Sequence, residues 1–320
     1  MTARMTNQER RADGKSRPMP DFSAYKRCDS YLNPTASGSP EDGAPPHPHR
    51  VSQQQLAKLL TRLSARDWAI LTSIRRCRYL MSGQVERLHF DDAANPAAAL
   101  RASNRNLKKL KEMGLVAAFS RRIGGVRAGS GSYIWHVTDA GERLLRLHYP
   151  DAPKRNRFFE PSPFFLAHTL AVAECFVRLT EICAAHPELS LSVLQPEPEC
   201  WRVYARHGKQ VALKPDLFAA TICDSYEDRW FIEIDLATES PAKVLEKCGR
   251  YHEYYQTGLE QREFGVFPLV VWLVPDAARK AHLTASLNAA FDKLPHIFTV
   301  ITPDELAPLV RQGLEGGVLC

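Results

Sequence analysis

A helical rhythm of apolar positions sets in after Ser64. Trp68, Ile70, Leu71 and Ile74 mark one stripe, and Ser64 stands where an N-cap is needed, with Asp67 three residues on completing a variant of the capping box. Ser82 reads as the cap of a short second helix carrying Val85, Leu88 and Phe90. After a break at 91–95, a longer helix is expected from Pro96 to about residue 113, stopped by Gly114, with Leu100, Leu107 and Leu110 inward. Residues 115–122, a glycine-rich turn over 124–131 and residues 132–137 then read as a β-hairpin, and Thr138 caps a closing helix with Ala140, Leu144 and Leu145. Three helices, a hairpin and a further helix in this order predict a winged helix-turn-helix.

The pattern changes beyond residue 160. A helix is predicted over 163–185, with Leu166, Leu170, Ala173, Phe176, Val177 and Leu179 on its apolar face and Glu174 within it. Strands are expected at 189–194, 201–204, 211–222 and 230–236, and a helix at 241–256. Residues 267–274 are wholly apolar, the signature of a strand buried on both faces. A helix over 277–294, a strand at 298–301 and a last helix at 303–312 complete a mixed α/β domain. The expected organisation is thus a tail (1–50), a winged helix-turn-helix domain (51–150), a linker (151–160) and an α/β domain (161–320).

Composition changes this picture at three points. Residues 1–50 are rich in Pro, Gly, Ser and charge and lack apolar periodicity, so the tail is expected to be disordered. The strongest apolar run, 267–275, is far shorter than the ~18–20 residues that cross a bilayer, and the first twenty residues contain no signal-like core; a cytoplasmic location without membrane contact is expected. Eight cysteines are scattered without a CxxC pair, which argues against a zinc site and for buried free thiols.

The net charge of +6 conceals a division. Residues 51–150 hold about 17 bases against about 7 acids, whereas 151–320 hold about 17 against about 23. A basic module joined to an acidic one suggests a nucleic-acid anchor followed by a domain with another task. On the third helix, Arg101, Arg105 and Lys108 fall at i, i+4 and i+7 with Lys109 beside them, opposite the leucine stripe and with no acid from Arg101 to Lys111. A helix apolar on one side and cationic on the other suits the major groove, with Ser103, Asn104 and Asn106 as short polar groups able to read bases. Arg121, Arg122 and Arg127 of the hairpin are placed for backbone or minor-groove contact with double-stranded DNA.

In the α/β domain, Asp216 follows Pro215 at the head of a strand, and Glu233 and Asp235 alternate on the next, so that a period of two puts them on one face. Neighbouring buried carboxylates need a cation or hydrogen bonds to compensate, and Mg²⁺ or Mn²⁺ would serve, activating water toward a phosphodiester. The alternative is a structural ion network with Lys214, Lys243 or Arg250. Tyr251, Tyr254 and Tyr255 read as packing residues, and His168 and His252 as structural histidines.

The order helix with Glu, Pro-Asp, Glu-x-x and helix resembles the PD-(D/E)XK nuclease fold, with Asp235 standing where that fold carries its lysine. Lys243 or Lys247 on the following helix would supply that ammonium by migration. Across its length the chain more closely resembles the replication-relaxation family of plasmids and integrative elements. The residues that carry the likeness are Arg66-Asp67, Ile70-Leu71, Gly114-Leu115-Val116, Trp135-His136-Val137-Thr138, Ala140-Gly141, Lys214-Pro215-Asp216, Glu233-Ile234-Asp235, Thr238-Glu239, Lys247 and Tyr251. The resemblance implies a winged helix fused to a nuclease-like domain, related to the MobC class of conjugative relaxases. It implies catalytic roles for Asp216, Glu233, Asp235 and Lys247, and metal ligation by Asp216 and Glu233 with Glu174.

Two readings of different class follow. In one, the chain is a DNA-binding initiator or regulator whose α/β domain recruits replication or conjugation proteins or forms a homodimer. In the other, it is a metal-dependent enzyme that nicks DNA at an origin.

Overall fold

The computed structural model describes residues 52–119, 133–149, 160–206, 208–223, 226–291 and 296–312. The expected tail, residues 151–159 of the expected linker, and Arg121, Arg122 and Arg127 lie outside the described residues. The chain is mixed α/β and divides into two compact units after Val177.

The first unit opens with α1 (Gln53–Leu60), which the sequence reading passes over because only Leu56 is fully buried. Its Ser52 and Gln55 close a capping box. In α2 (Ala65–Cys77) the Ser64–Asp67 box forms as expected, and Ile70, Leu71 and Ile74 are fully buried. The two residues of β1 (Leu80–Met81) precede α3 (Ser82–His89). Here Ser82 is not the cap. The helix begins at Ser82, Gln84 Oε1 accepts from the Met81 N–H at 2.9 Å, and the Ser82 hydroxyl accepts from the Trp135 indole at 2.9 Å.

Helix α4 (Pro96–Glu112) is capped by Asn95 and stopped at Gly114, whose φ of 70° favours a residue without a side chain. Its buried face is Ala99, Ser103, Leu107 and Leu110, so the expected Leu107 and Leu110 are inward while Leu100 is 45% exposed. Strands β2 (Val116–Ala118) and β3 (Ile134–Val137) pair antiparallel, and β1 joins them in the order β1-β3-β2. Thr138 caps α5 (Asp139–His148), whose Gly141 lies so close to β2 that an added Cβ would meet Leu115 O at 2.3 Å. That approach is why the position following Ala140 is glycine.

Helix α6 (Pro163–Ala185) has the bounds predicted, and the division between units falls within it. By length and composition it could cross a membrane, contrary to the expectation that no such segment exists; yet 61% of its apolar window is buried in the protein, and Glu174 lies within it. Those features fit a core helix.

The second unit is built on a five-stranded sheet of order β10-β9-β8-β7-β4, from β4 (Leu189–Pro196), β7 (Leu217–Cys223), β8 (Tyr226–Ile234), β9 (Leu269–Leu273) and β10 (Phe298–Ile301). β8, β9 and β10 run parallel, while β4 and β8 each pair antiparallel with β7. The stretch 211–222 is not one strand: the chain breaks at Lys214-Pro215-Asp216, where proline removes a ladder donor. Residues before the break form β6 (Lys209–Leu213), which pairs with β5 (Arg202–Arg206) as a separate two-stranded ribbon. Helix α7 (Pro241–Gln256) has its predicted bounds; α8 (Leu259–Phe264), between two left-handed glycines, is additional. Helix α9 (Ala277–Phe291) follows β9, and a 3₁₀ turn (Pro303–Glu305) precedes α10 (Leu306–Gln312). Val244, Cys248, Tyr251 and Tyr254 of α7 share one core with Leu283 and Leu287 of α9 and with Phe218, Phe231, Val270 and Trp272 of the sheet. The six cysteines among the described residues are free thiols, five of them buried.

Candidate functional site

The β7–β8 register sets Leu217 opposite Ile232, so Asp216 and Glu233, one step along, face each other where the pair ends. Asp216 Oδ2 accepts from the Ile234 N–H at 2.8 Å, which ties its carboxylate to the end of β8. The β8–β9 register puts Glu233 beside Trp272. Helix α7 completes the group with two side chains four residues apart, hence on one face. The Lys247 ammonium bonds Glu233 Oε2 and stands 3.9 Å from Asp216 Oδ1, and the Tyr251 hydroxyl donates to Glu233 Oε1. Lys247 Nζ also lies 5.9 Å from the centre of the Trp272 ring. Three segments distant in sequence thus bring together two carboxylates, one ammonium and one phenol.

The electrostatics follow from burial. Glu233 is completely buried, and loss of hydration raises its pKa to about 8; Asp216 adds to the rise, and Lys247 and Tyr251 oppose it. Burial by itself lowers the pKa of Lys247, but the carboxylates of Glu233 and Asp216 outweigh it and hold the ammonium charged. Burial raises the pKa of Tyr251 well above that of a free phenol, and Glu233 adds to it, so Tyr251 stays protonated as a donor. A side chain that is 0% exposed is not a nucleophile for a polymer substrate.

Asp235 does not join this group. β8 ends at Ile234, and Ala237 turns the chain with a φ of 55°. Asp235 Oδ2 accepts from Arg279 Nε at 2.6 Å and Oδ1 from the Ala237 N–H at 2.7 Å, so both oxygens serve the turn. Strand alternation predicts a shared face with Glu233 but not a partner on α9. Glu174 is likewise engaged elsewhere, in the first unit, where it accepts from Arg87 at 2.7 Å and from Gln84 at 3.1 Å. That pairing stabilises a carboxylate only 1% exposed by locking α6 to α3. The ligand set expected from the resemblance, Asp216 and Glu233 with Glu174, is therefore not assembled. Among the described residues, no three His, Cys, Asp or Glu side chains converge as a metal would require. Asp216 and Glu233 are carboxylates of the kind a hard divalent cation takes, but Glu233 is completely buried with both oxygens bonded, so a metal there would require Lys247 to leave Oε2 and water to enter.

The cationic helix α4 also comes out sharper than its spacing. Arg101 and Arg105 are exposed, with no acidic partner among the described residues. Lys108 is 3.8 Å from Glu112, at 78% and 67% exposure, a contact worth little in water. Lys109 is committed inward: its ammonium bonds the fully buried Asp67 at 2.6 Å. Ser103, expected to read bases, is 0% exposed in the helix interface. Tyr251, which the sequence reads as a packing residue, also donates to Glu233, a role signalled by its i+4 spacing from Lys247, and Asp67, which reads as a cap, also binds Lys109.

Comparison with known proteins gives one assignment. The model of the family described as Replication-relaxation matches residues 71–270, which takes in Arg101, Arg105, Asp216, Glu233, Lys247 and Tyr251. Among proteins of curated function, none matches significantly. One solved structure, protein VC1899 from Vibrio cholerae, aligns over 81% of this chain at 12% identity, with a TM-score of 0.29, a value at which no likeness of fold is argued. The chain spans about half the length of that protein, 54%.

Proposed function

Because this chain belongs to the replication-relaxation family, we propose that it is a DNA-binding replication or mobilisation protein of a plasmid or integrative element, with a nuclease-like centre in its second unit. The observation that carries the reading is the convergence of Lys247 with Asp216 and Glu233 from three separate elements. Asp235 occupies the lysine position of the PD-(D/E)XK pattern, and the ammonium from α7 supplies what that position lacks. The order of α2, α3, α4 and the β2–β3 pair supports a winged helix-turn-helix, and the exposed Arg101 and Arg105, without an acidic partner among the described residues, support its use on double-stranded DNA.

Asp216 and Glu233 would hold Mg²⁺ or Mn²⁺, which supplies a polarised water and charge stabilisation at a phosphodiester. Lys247 orients water and balances charge beside the reacting phosphate. Tyr251 holds Glu233 Oε1, so that Oε2 faces Lys247. Trp272 and the surrounding core exclude bulk water from the inner side of the pair.

A second reading, a regulator without cleavage, draws on one observation: both oxygens of Glu233 are already bonded by the protein's own groups. Supercoiled origin DNA incubated with the protein and Mg²⁺ or Mn²⁺ separates the two. Nicking that is lost in Asp216→Ala and Glu233→Ala is the result expected. Intact supercoils with every divalent metal tried would leave the regulator.

A further inference from the structure

Although residues 151–320 are acidic in total, with about 23 acids to about 17 bases, one cleft of the second unit is basic. It has a volume of about 440 Å³ and is lined by the β5–β6 ribbon, Lys214 and α7. Its charged lining residues are Arg206, Lys214, Lys247 and Arg250 against the single acid Glu253, over an apolar floor that includes Tyr204 and Leu213.

The state of each cation matters. Arg206 pairs with Glu253 at 2.6 Å and Arg250 with Glu246 at 2.6 Å, and the four side chains are between 33% and 65% exposed. Such half-exposed pairs are weakly held and exchange readily for a phosphate. Lys214 is exposed, with no acidic partner among the described residues, and its ammonium lies 4.4 Å from the centre of the Trp201 ring, which keeps it at the rim. Lys247 is shared: it lines the cleft, and its ammonium is the one that touches Glu233. Four cations thus line one cleft, and one of them, Lys247, also reaches the carboxylate pair, which is not itself part of the lining.

We propose that this cleft is a DNA-backbone groove of the second unit, distinct from helix α4, in which Arg206, Lys214 and Arg250 seat phosphates of one strand and lead the strand to Lys247. The delivery to Lys247 rests on the nuclease-like reading of Asp216 and Glu233; the groove itself rests on the placement of its cations. DNA is the polyanion chosen because one lining cation, Lys247, is the ammonium that bonds Glu233, an arrangement with no use for an acidic peptide.

The test uses the full chain and a fluorescein-labelled DNA duplex of arbitrary sequence, with binding followed by anisotropy over a range of salt concentrations. Arg101→Ala with Arg105→Ala removes the helix contacts and provides the background. On that background, Arg206→Ala, Lys214→Ala and Arg250→Ala together should lower the slope of log K against log[salt] by about 2 to 3 and weaken binding roughly tenfold or more. An unchanged slope overturns the groove, as does a competition in which free nucleotide displaces the duplex. If the helix substitutions alone change nothing, the winged-helix anchor fails while the groove stands. Should the triple variant melt early, Lys214→Gln with Arg250→Gln replaces it, because both positions are exposed; a slope lowered by about 1 to 2 is then the expected result and an unchanged one the refutation.

Discussion

Burial raises the pKa of Glu233 from 4.5 to about 8, although Lys247 and Tyr251 donate to its two oxygens and oppose the rise. The sign follows directly. The folded chain binds this proton more tightly than the unfolded chain, so the contribution of Glu233 to stability is complete below about pH 4.5 and is lost as pH rises through about 8. Urea unfolding followed across that window should show the second unit weakening toward alkaline pH, and Glu233→Gln should flatten the dependence. A variant as pH-dependent as the parent would show that other groups set the profile. His89 titrates in the opposite sense: burial lowers its pKa from 6.5 to about 4, Arg66 adds to the fall, and its share of stability is lost as pH drops through that range. Ile232 and Ile234 flank Glu233, and Leu88 and Phe90 flank His89, so the sequence surrounds both with apolar residues, but only packing decides that their water is removed and hence that the shifts occur.

At the scale of elements, the carboxylate of Asp67 holds the cationic helix in place. It accepts from the Ser64 N–H at 2.8 Å, the Ser64 hydroxyl at 2.7 Å and Lys109 Nζ at 2.6 Å, and Asn106 Nδ2 approaches at 3.4 Å. One side chain therefore closes the start of α2 and fixes α4 against it, which orients Arg101 and Arg105 outward. Asp67→Ala removes a cap and frees Lys109, which is 40% exposed and can rehydrate, and should cost about 2 to 3 kcal/mol, measured as a fall in the denaturation midpoint. A loss below about 1 kcal/mol would reduce Asp67 to an ordinary helix cap. The capping box was readable from the spacing of Ser64 and Asp67; the partners on α4 lie 39 and 42 positions away and were not.

For the whole molecule, the charge division runs broadly with the two units: a basic part, for which DNA attachment is proposed, and an acidic part that holds the carboxylate–ammonium centre. If α4 is the anchor, Arg101→Ala with Arg105→Ala should weaken duplex binding across sequences and lower the salt slope by about 2, as read by anisotropy. Equal binding and slope would move the DNA surface off this helix. By contact the boundary between units falls after Val177 within α6, while residues 151–159 of the expected linker lie outside the described residues. Glu174 illustrates the consequence. A place in sequence just ahead of the α/β strands suggested a role there, whereas its side chain joins Arg87 and Gln84.

By itself the sequence determined what periodicity and local chemistry encode: the caps at Ser64 and Thr138, the stop at Gly114, the bounds of helices 163–185 and 241–256, the mixed α/β class and the family. These depend on neighbours within a few residues or on patterns that survive without coordinates. Only the tertiary structure decided which candidate charges meet. Lys247 reaches Glu233 while Asp235 turns to Arg279 and Lys109 to Asp67, because an ion pair forms where packed elements leave a buried charge in need of its opposite, at separations no local pattern records.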